Sequence, residues 1–127
     1  MSALRHALLG APLALLLLAA PAAAQVDCSD GGTTQADMNH CALATYREAD
    51  ATLNDTWAEV RGQLGTDSAV YEQLLAAQRL WIEFRDAACA AEAALYEGGS
   101  MAPMVESTCY TRLTEARTQD LTNFLTP

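Results

Sequence analysis

Four cysteines, Cys28, Cys41, Cys89 and Cys109, constrain this chain more than any other feature, because all of them follow a segment that reads as an export signal. Arg5 supplies the positive charge, residues 8–20 are almost wholly apolar, and Ala22-Ala23-Ala24 offers the small side chains that a signal peptidase requires. The apolar run is shorter than the ~20 residues of a membrane-spanning helix, and no stop-transfer pattern follows. Residues 1–24 are therefore expected to be a signal peptide and residues 25–127 one helical domain, periplasmic or secreted, with its mature start near Gln25. Gln25-Val26-Asp27 lacks the small or apolar approach of a lipid-modified cysteine, so the mature protein is expected to be free of the membrane. An even number of cysteines in an oxidising compartment points to two disulfides.

The stretch between the cysteines has a helical period. Thr34-x-x-Asp37 resembles a capping box, with Asp in place of Glu or Gln. From there Ala42, Tyr46, Ala49, Leu53, Trp57, Val60 and Leu64 recur in steps of three and four up to Gly65. A second run, Val70, Leu74, Ala77, Trp81, Phe84, Ala88, Ala91 and Leu95, forms an unbroken heptad seam. Leu75, Ile82 and Cys89 widen it. Asp67 or Ser68 caps its start and Gly98-Gly99 ends it. Ser100 is expected to open a third helix, with Pro103 in its first turn and Val105, Cys109, Leu113, Ala116, Leu121 and Phe124 on its buried side. Two short glycine-bearing links between long helices give an all-α fold, an antiparallel three-helix bundle stapled by two disulfides. In so short a bundle the heptad seam is expected to serve the molecule's own core rather than a dimer.

Helix register narrows the cysteine pairing. A hairpin at Gly98-Gly99 sets Cys89 and Cys109 nearly equidistant from its apex, which favours Cys89–Cys109 and leaves Cys28 to clip the N-terminal segment to Cys41. The Gly65 turn also puts Cys41 level with Cys89, so Cys41–Cys89 with Cys28–Cys109 stays open. Zinc is the rival use, with His40 beside Cys41. Yet no C-x-x-C or H-x-x-x-H spacing exists, and adjacent helical residues point about 100° apart. No metal or cofactor is expected.

The charge balance excludes several partners. The 127 residues carry seven arginines, no lysine and 16 acids. Without Arg5, six arginines face those 16 acids, a formal −10 for residues 25–127. Nucleic acid and anionic membrane surfaces both require the opposite sign. Catalysis is not expected either: no G-x-S-x-G, phosphate loop or H-E-x-x-H is present, and the mature part has one histidine, His40. Asp27, Asp30 and Asp37 adjoin a Gly-Gly loop without forming an EF-hand pattern, and read as solvated acids.

One polar group is harder to set aside. Gln78 and Arg85 flank the heptad seam seven residues apart, and counting from the two turns sets Asp50, Asn54 and Arg117 near their level. Buried polar groups need partners. Asp50, Asn54, Gln78, Arg85 and Arg117 are therefore expected to form a hydrogen-bonded network between helices that fixes bundle register.

These residues carry a family resemblance. Residues 34–41 (Thr-Gln-Ala-Asp-Met-Asn-His-Cys), residues 49–54 (Ala-Asp-Ala-Thr-Leu-Asn) and residues 77–89 (Ala-Gln-Arg-Leu-Trp-Ile-Glu-Phe-Arg-Asp-Ala-Ala-Cys) resemble, in order, the lysozyme inhibitor LprI-like N-terminal domain family. Gly98-Gly99-Ser100, Cys109 and Thr114-Glu115-Ala116-Arg117 complete the pattern; Trp57 departs from it, standing where Tyr is expected. The resemblance implies an exported, disulfide-bonded helical domain that binds and inhibits lysozyme. The acidic balance suits that role, since lysozymes of animal type are strongly basic. Expected contacts are exposed acids and the protruding turn Glu97-Gly98-Gly99-Ser100. The competing expectation is an envelope module that assembles with another envelope protein and leaves lysozyme alone.

Overall fold

A computed structural model describes residues 25–125 of the chain. The signal-peptide assignment of residues 1–24 lies outside the described residues. Three helices follow one another: α1 (Gln35–Leu64), α2 (Ala69–Ala94) and α3 (Ala102–Thr122), with no strand among the described residues. Gln35 reaches Met104 at one end of the molecule, and Gln63 donates to the Phe124 carbonyl at the other. Hence α1 and α3 run the same way and α2 runs against both. α3 packs along the length of α1, α2 lies mainly on α3, and contact between α1 and α2 is slight. No described helix is long and apolar enough to cross a membrane.

Local chemistry sets the helix ends. Thr34 Oγ1 accepts from the Asp37 N–H at 3.1 Å and Asp37 Oδ2 accepts from the Thr34 N–H at 3.0 Å, closing a reciprocal cap on α1. Those hydrogen bonds hold the Asp37 carboxyl below its usual pKa. Gly32 just before it has φ +95, and a Cβ there would fall 2.7 Å from the Asp37 Cβ, so glycine is required for the chain to enter the cap. Ser68 rather than Asp67 caps α2, its Oγ accepting from the Tyr71 N–H at 3.1 Å. α3 begins one residue later than the sequence suggests. Met101 takes the N-cap position without a side-chain bond, while the Ser100 carbonyl accepts instead from Asn39 Nδ2 at 2.9 Å.

Both disulfides follow the favoured pairing. Cys28–Cys41 and Cys89–Cys109 each have Cα atoms 5.4 Å apart, the ordinary span of such a bridge. The alternative pairing is thereby excluded. The two ends of the molecule are held by different means. Leu53, Val60, Leu74 and Leu121 form the buried core toward the Gly65 turn, with Trp57, Leu64 and Trp81 packed against it. Toward the Gly98 turn, the fully buried Cys89 and Cys109 take over.

The heptad seam of α2 is the main correction. Leu74 is buried and Trp81 and Ala88 partly so, but Val70, Ala77, Phe84, Ala91 and Leu95 face outward. The inward column is Tyr71, Gln78, Arg85 and Glu92, one residue further along at each turn. Ile82 is exposed as well. A polar and aromatic column therefore occupies the interior that hydrophobicity alone assigns to Val70, Ala77, Phe84 and Ala91. Ala116 on α3 and Phe124 just beyond it are exposed, whereas Ser107 and Thr114 are buried.

Candidate functional site

The inward column of α2 meets its partners at mid-bundle. Arg85 lies with its guanidinium carbon 5.7 Å from the Tyr46 ring centroid, 5.2 Å from Trp81 and 5.2 Å from Tyr110. One ring comes from each helix. Tyr46 and Tyr110 also touch, with centroids 5.0 Å apart. A guanidinium facing π-systems is attracted by their negative faces, more strongly where water is excluded, and the Arg85 side chain is only 11% exposed.

Its charge is compensated on two sides. Nη1 lies 3.7 Å from Asp50 Oδ1 on α1, and Nε donates to Asp86 Oδ1 at 2.9 Å. Asp50 in turn accepts from Asn54 Nδ2 at 3.2 Å. Arg117 on α3 donates from Nε to Gln78 Oε1 at 2.8 Å and stands 6.0 Å from the Trp81 ring. Trp81 thus lies between the two arginines. Of the expected network, only Arg117–Gln78 is a hydrogen bond between helices; Arg85 and Asp50 form an ion pair, Asn54 is exposed and bonds Asp50 on its own helix, and the two halves meet only at the Trp81 ring. Thr114 Oγ1 and Arg117 Nη2 are enclosed here with no hydrogen-bond partner among the described residues.

Sequence reasoning missed Tyr46 and Tyr110 as partners of Arg85. The signal available was their identity: each is an aromatic with a polar tip on an otherwise aliphatic helix face, the composition that buries one end and keeps the other wet. Burial raises the pKa of both phenols, with the neighbouring Asp50 and Asp86 carboxylates adding to the effect at Tyr46 and Glu106 and Asp86 at Tyr110; Arg85 opposes it at each. An arginine already ion-paired and ringed by aromatics offers neither nucleophile nor proton acceptor. Its effect is to tie α1, α2 and α3 at one level.

The Gly98 turn forms a separate surface. Glu97, Gly98, Gly99 and Ser100 are all exposed, and Gly98 turns the chain with φ +76. The Gly99 N–H donates to the Tyr96 carbonyl at 2.9 Å, and Asn39 ties Ser100 to α1. The turn is therefore both exposed and anchored, with Leu95 and Tyr96 exposed beside it. His40 is exposed in the second turn of α1, and no group of three metal-ligating side chains occurs among the described residues.

Fold and staples together define a small, acidic, disulfide-locked helical bundle built around an arginine–aromatic knot. Residues 27–121 match the family model of the lysozyme inhibitor LprI, and the chain belongs to that family. An uncharacterized protein of Rhizobium meliloti (strain 1021) is 41% identical over 121 aligned residues, covering 84% of this chain and 86% of the relative. No solved structure matches. The Arg85 knot and both disulfides lie inside the matched span.

Proposed function

We propose that this protein is an exported inhibitor of lysozyme-type muramidases, acting in the periplasm or outside the cell after its first 24 residues are removed. Membership of the LprI family carries the proposal. Two disulfides add to it, because such bridges persist outside the reducing cytoplasm. The inhibitor works by binding, not by turnover, covering the enzyme's substrate cleft. Its formal −10 charge over residues 25–127 steers it toward a basic enzyme, and the anchored Glu97–Ser100 turn is the element shaped to enter a concave site. The polar network around Arg85 holds the helices in register and so keeps that turn in place.

A turbidity assay on peptidoglycan tests the proposal. At molar excess and low ionic strength the protein slows lysis by a basic lysozyme, and added salt weakens the effect, because exposed charges are screened over about 10 Å at 0.1 M. Undiminished lysis under those conditions removes the proposal. Retention of a different envelope protein at moderate salt would then assign the domain to assembly.

A further inference from the structure

The outward face of α2 leaves several large apolar side chains uncovered. Leu95 is 81% exposed, Leu80 66%, Phe84 60% and Val70 50%. Positions 70, 73, 77, 80, 84, 87, 91 and 94 are all exposed and step alternately by three and four, the period of a two-stranded helical seam. Gln73 is the one polar residue among them. Ala69, Ala76 and Ala90 flank the seam, so little bulk keeps a second helix away. We infer that this face is where two copies of the chain associate, α2 against α2 and antiparallel, about a two-fold axis near residue 82.

The face is self-complementary in that orientation. It sets Leu80 against Phe84 of the second copy, Ala77 against Ala87, and position 70 against position 94. A groove of about 220 Å³ lies at one end, lined by Val70, Gln73, Leu74, Ala77 and Phe124. Leu95, the most exposed large apolar residue, lies at the other. Antiparallel packing brings each Leu95 onto the groove of the opposite copy; parallel packing would set groove on groove and Phe84 on Phe84. Glu83 flanks the seam close to the axis, so Glu83 and Arg79 of the second copy both fall about 3 Å from it along the helix axis. Among the described residues neither Glu83 nor Arg79 has an ion-pair partner.

The area fixes the strength. α2 is about 39 Å long, and a third of its circumference buries about 600 Å² per copy, or about 1,200 Å² in all, the lower edge for a specific interface. The dimer is therefore reversible and concentration-dependent. Each copy is strongly acidic, so salt strengthens self-association by screening repulsion. That is the opposite of the salt response expected for a basic partner, and it makes this inference independent of the proposed function.

Sedimentation velocity on the oxidised protein, as the cell produces it, between about 1 μM and about 500 μM, tests the inference. A monomer–dimer equilibrium that tightens with salt is expected. Leu80→Glu or Phe84→Glu, at exposed positions that leave helix content unchanged, should weaken it more than about 10-fold by placing a charge in an apolar contact. A monomer at every concentration and salt level would overturn it, as would a dimer indifferent to both substitutions. Orientation has its own readout: Ala77→Cys combined with Ala87→Cys should yield covalent dimers on mild oxidation. Equal cross-linking by Ala77→Cys alone would overturn the antiparallel arrangement.

Discussion

Arg85 ties the three helices at one level, since its guanidinium lies against an aromatic ring from each of them. Its removal has a definite expected size. Arg85→Met keeps much of the stem's volume, and Asp50 and Asp86 are exposed enough to remain hydrated, so no charge is stranded. What disappears is the attraction to the three rings and a partly screened ion pair, about 2 kcal/mol. For a domain of this size that lowers the melting temperature by roughly 10 °C. Thermal melting followed by near-ultraviolet circular dichroism checks both the loss and the altered tyrosine and tryptophan packing; an unchanged melt and spectrum would contradict the network. The same knot has an alkaline signature. Tyr46 and Tyr110 have pKa values raised chiefly by burial, so the folded state keeps protons that the unfolded chain gives up near pH 10. Their contribution to stability is complete below that value and is lost as pH rises through the folded-state pKa. Phenolate absorbance should therefore develop late for two of the four tyrosines, and the Tyr46→Phe, Tyr110→Phe double variant should lack that late phase. A titration identical in both proteins would contradict it.

At the level of elements, α1 and the two staples were legible in the sequence and the inner face of α2 was only half so. The Thr34–Asp37 cap and the Gly65 stop follow from local chemistry, whereas distances to the turns favour the observed cysteine pairing but leave Cys41–Cys89 with Cys28–Cys109 open until the helices are placed. α2 carries two interleaved columns that share Leu74, Trp81 and Ala88. One continues through Val70, Ala77, Phe84 and Ala91, the other through Tyr71, Gln78, Arg85 and Glu92. Hydrophobicity alone selects the first. The structure turns the second inward, burying Gln78 and most of Arg85 because they find partners on α3 and α1, a tertiary fact that no periodicity encodes, while the Glu92 side chain stays half-exposed. The placement of Asp50, Asn54 and Arg117 was accessible only by counting from the turns, and the tyrosines around Arg85 escaped even that. The staples make a testable pair. Their loops of 13 and 20 residues imply similar entropic contributions, about 3 kcal/mol each. Burial separates them: Cys89 and Cys109 are enclosed between α2 and α3, whereas Cys28 is exposed and tethers only the segment before α1. Replacing Cys89 and Cys109 by alanine should therefore cost about 3–5 kcal/mol in denaturant unfolding, and replacing Cys28 and Cys41 about 2–3 kcal/mol with helix content retained. Equal losses, or a larger one for the outer bridge, would contradict this division.

For the whole molecule, two surfaces with opposite responses to salt follow from one composition. The acidic charge spread over the helices suits a basic partner, and the apolar face of α2 suits a second copy. The bundle's proposed function rests on occupying another protein rather than on turnover. Its rigidity has a purpose in that view: a cleft-covering turn is useful only if it is held still, and Asn39, the Cys89–Cys109 bridge and the arginine knot all restrain the end that carries Glu97–Ser100. Titration of the oxidised protein into a basic animal-type lysozyme, by calorimetry at low and at physiological ionic strength, tests the central claim most directly. The account predicts a saturable complex whose affinity falls as salt is added and whose formation tracks the loss of muramidase activity. No heat and no complex at either ionic strength, with the bridges intact and the helices formed, would contradict it.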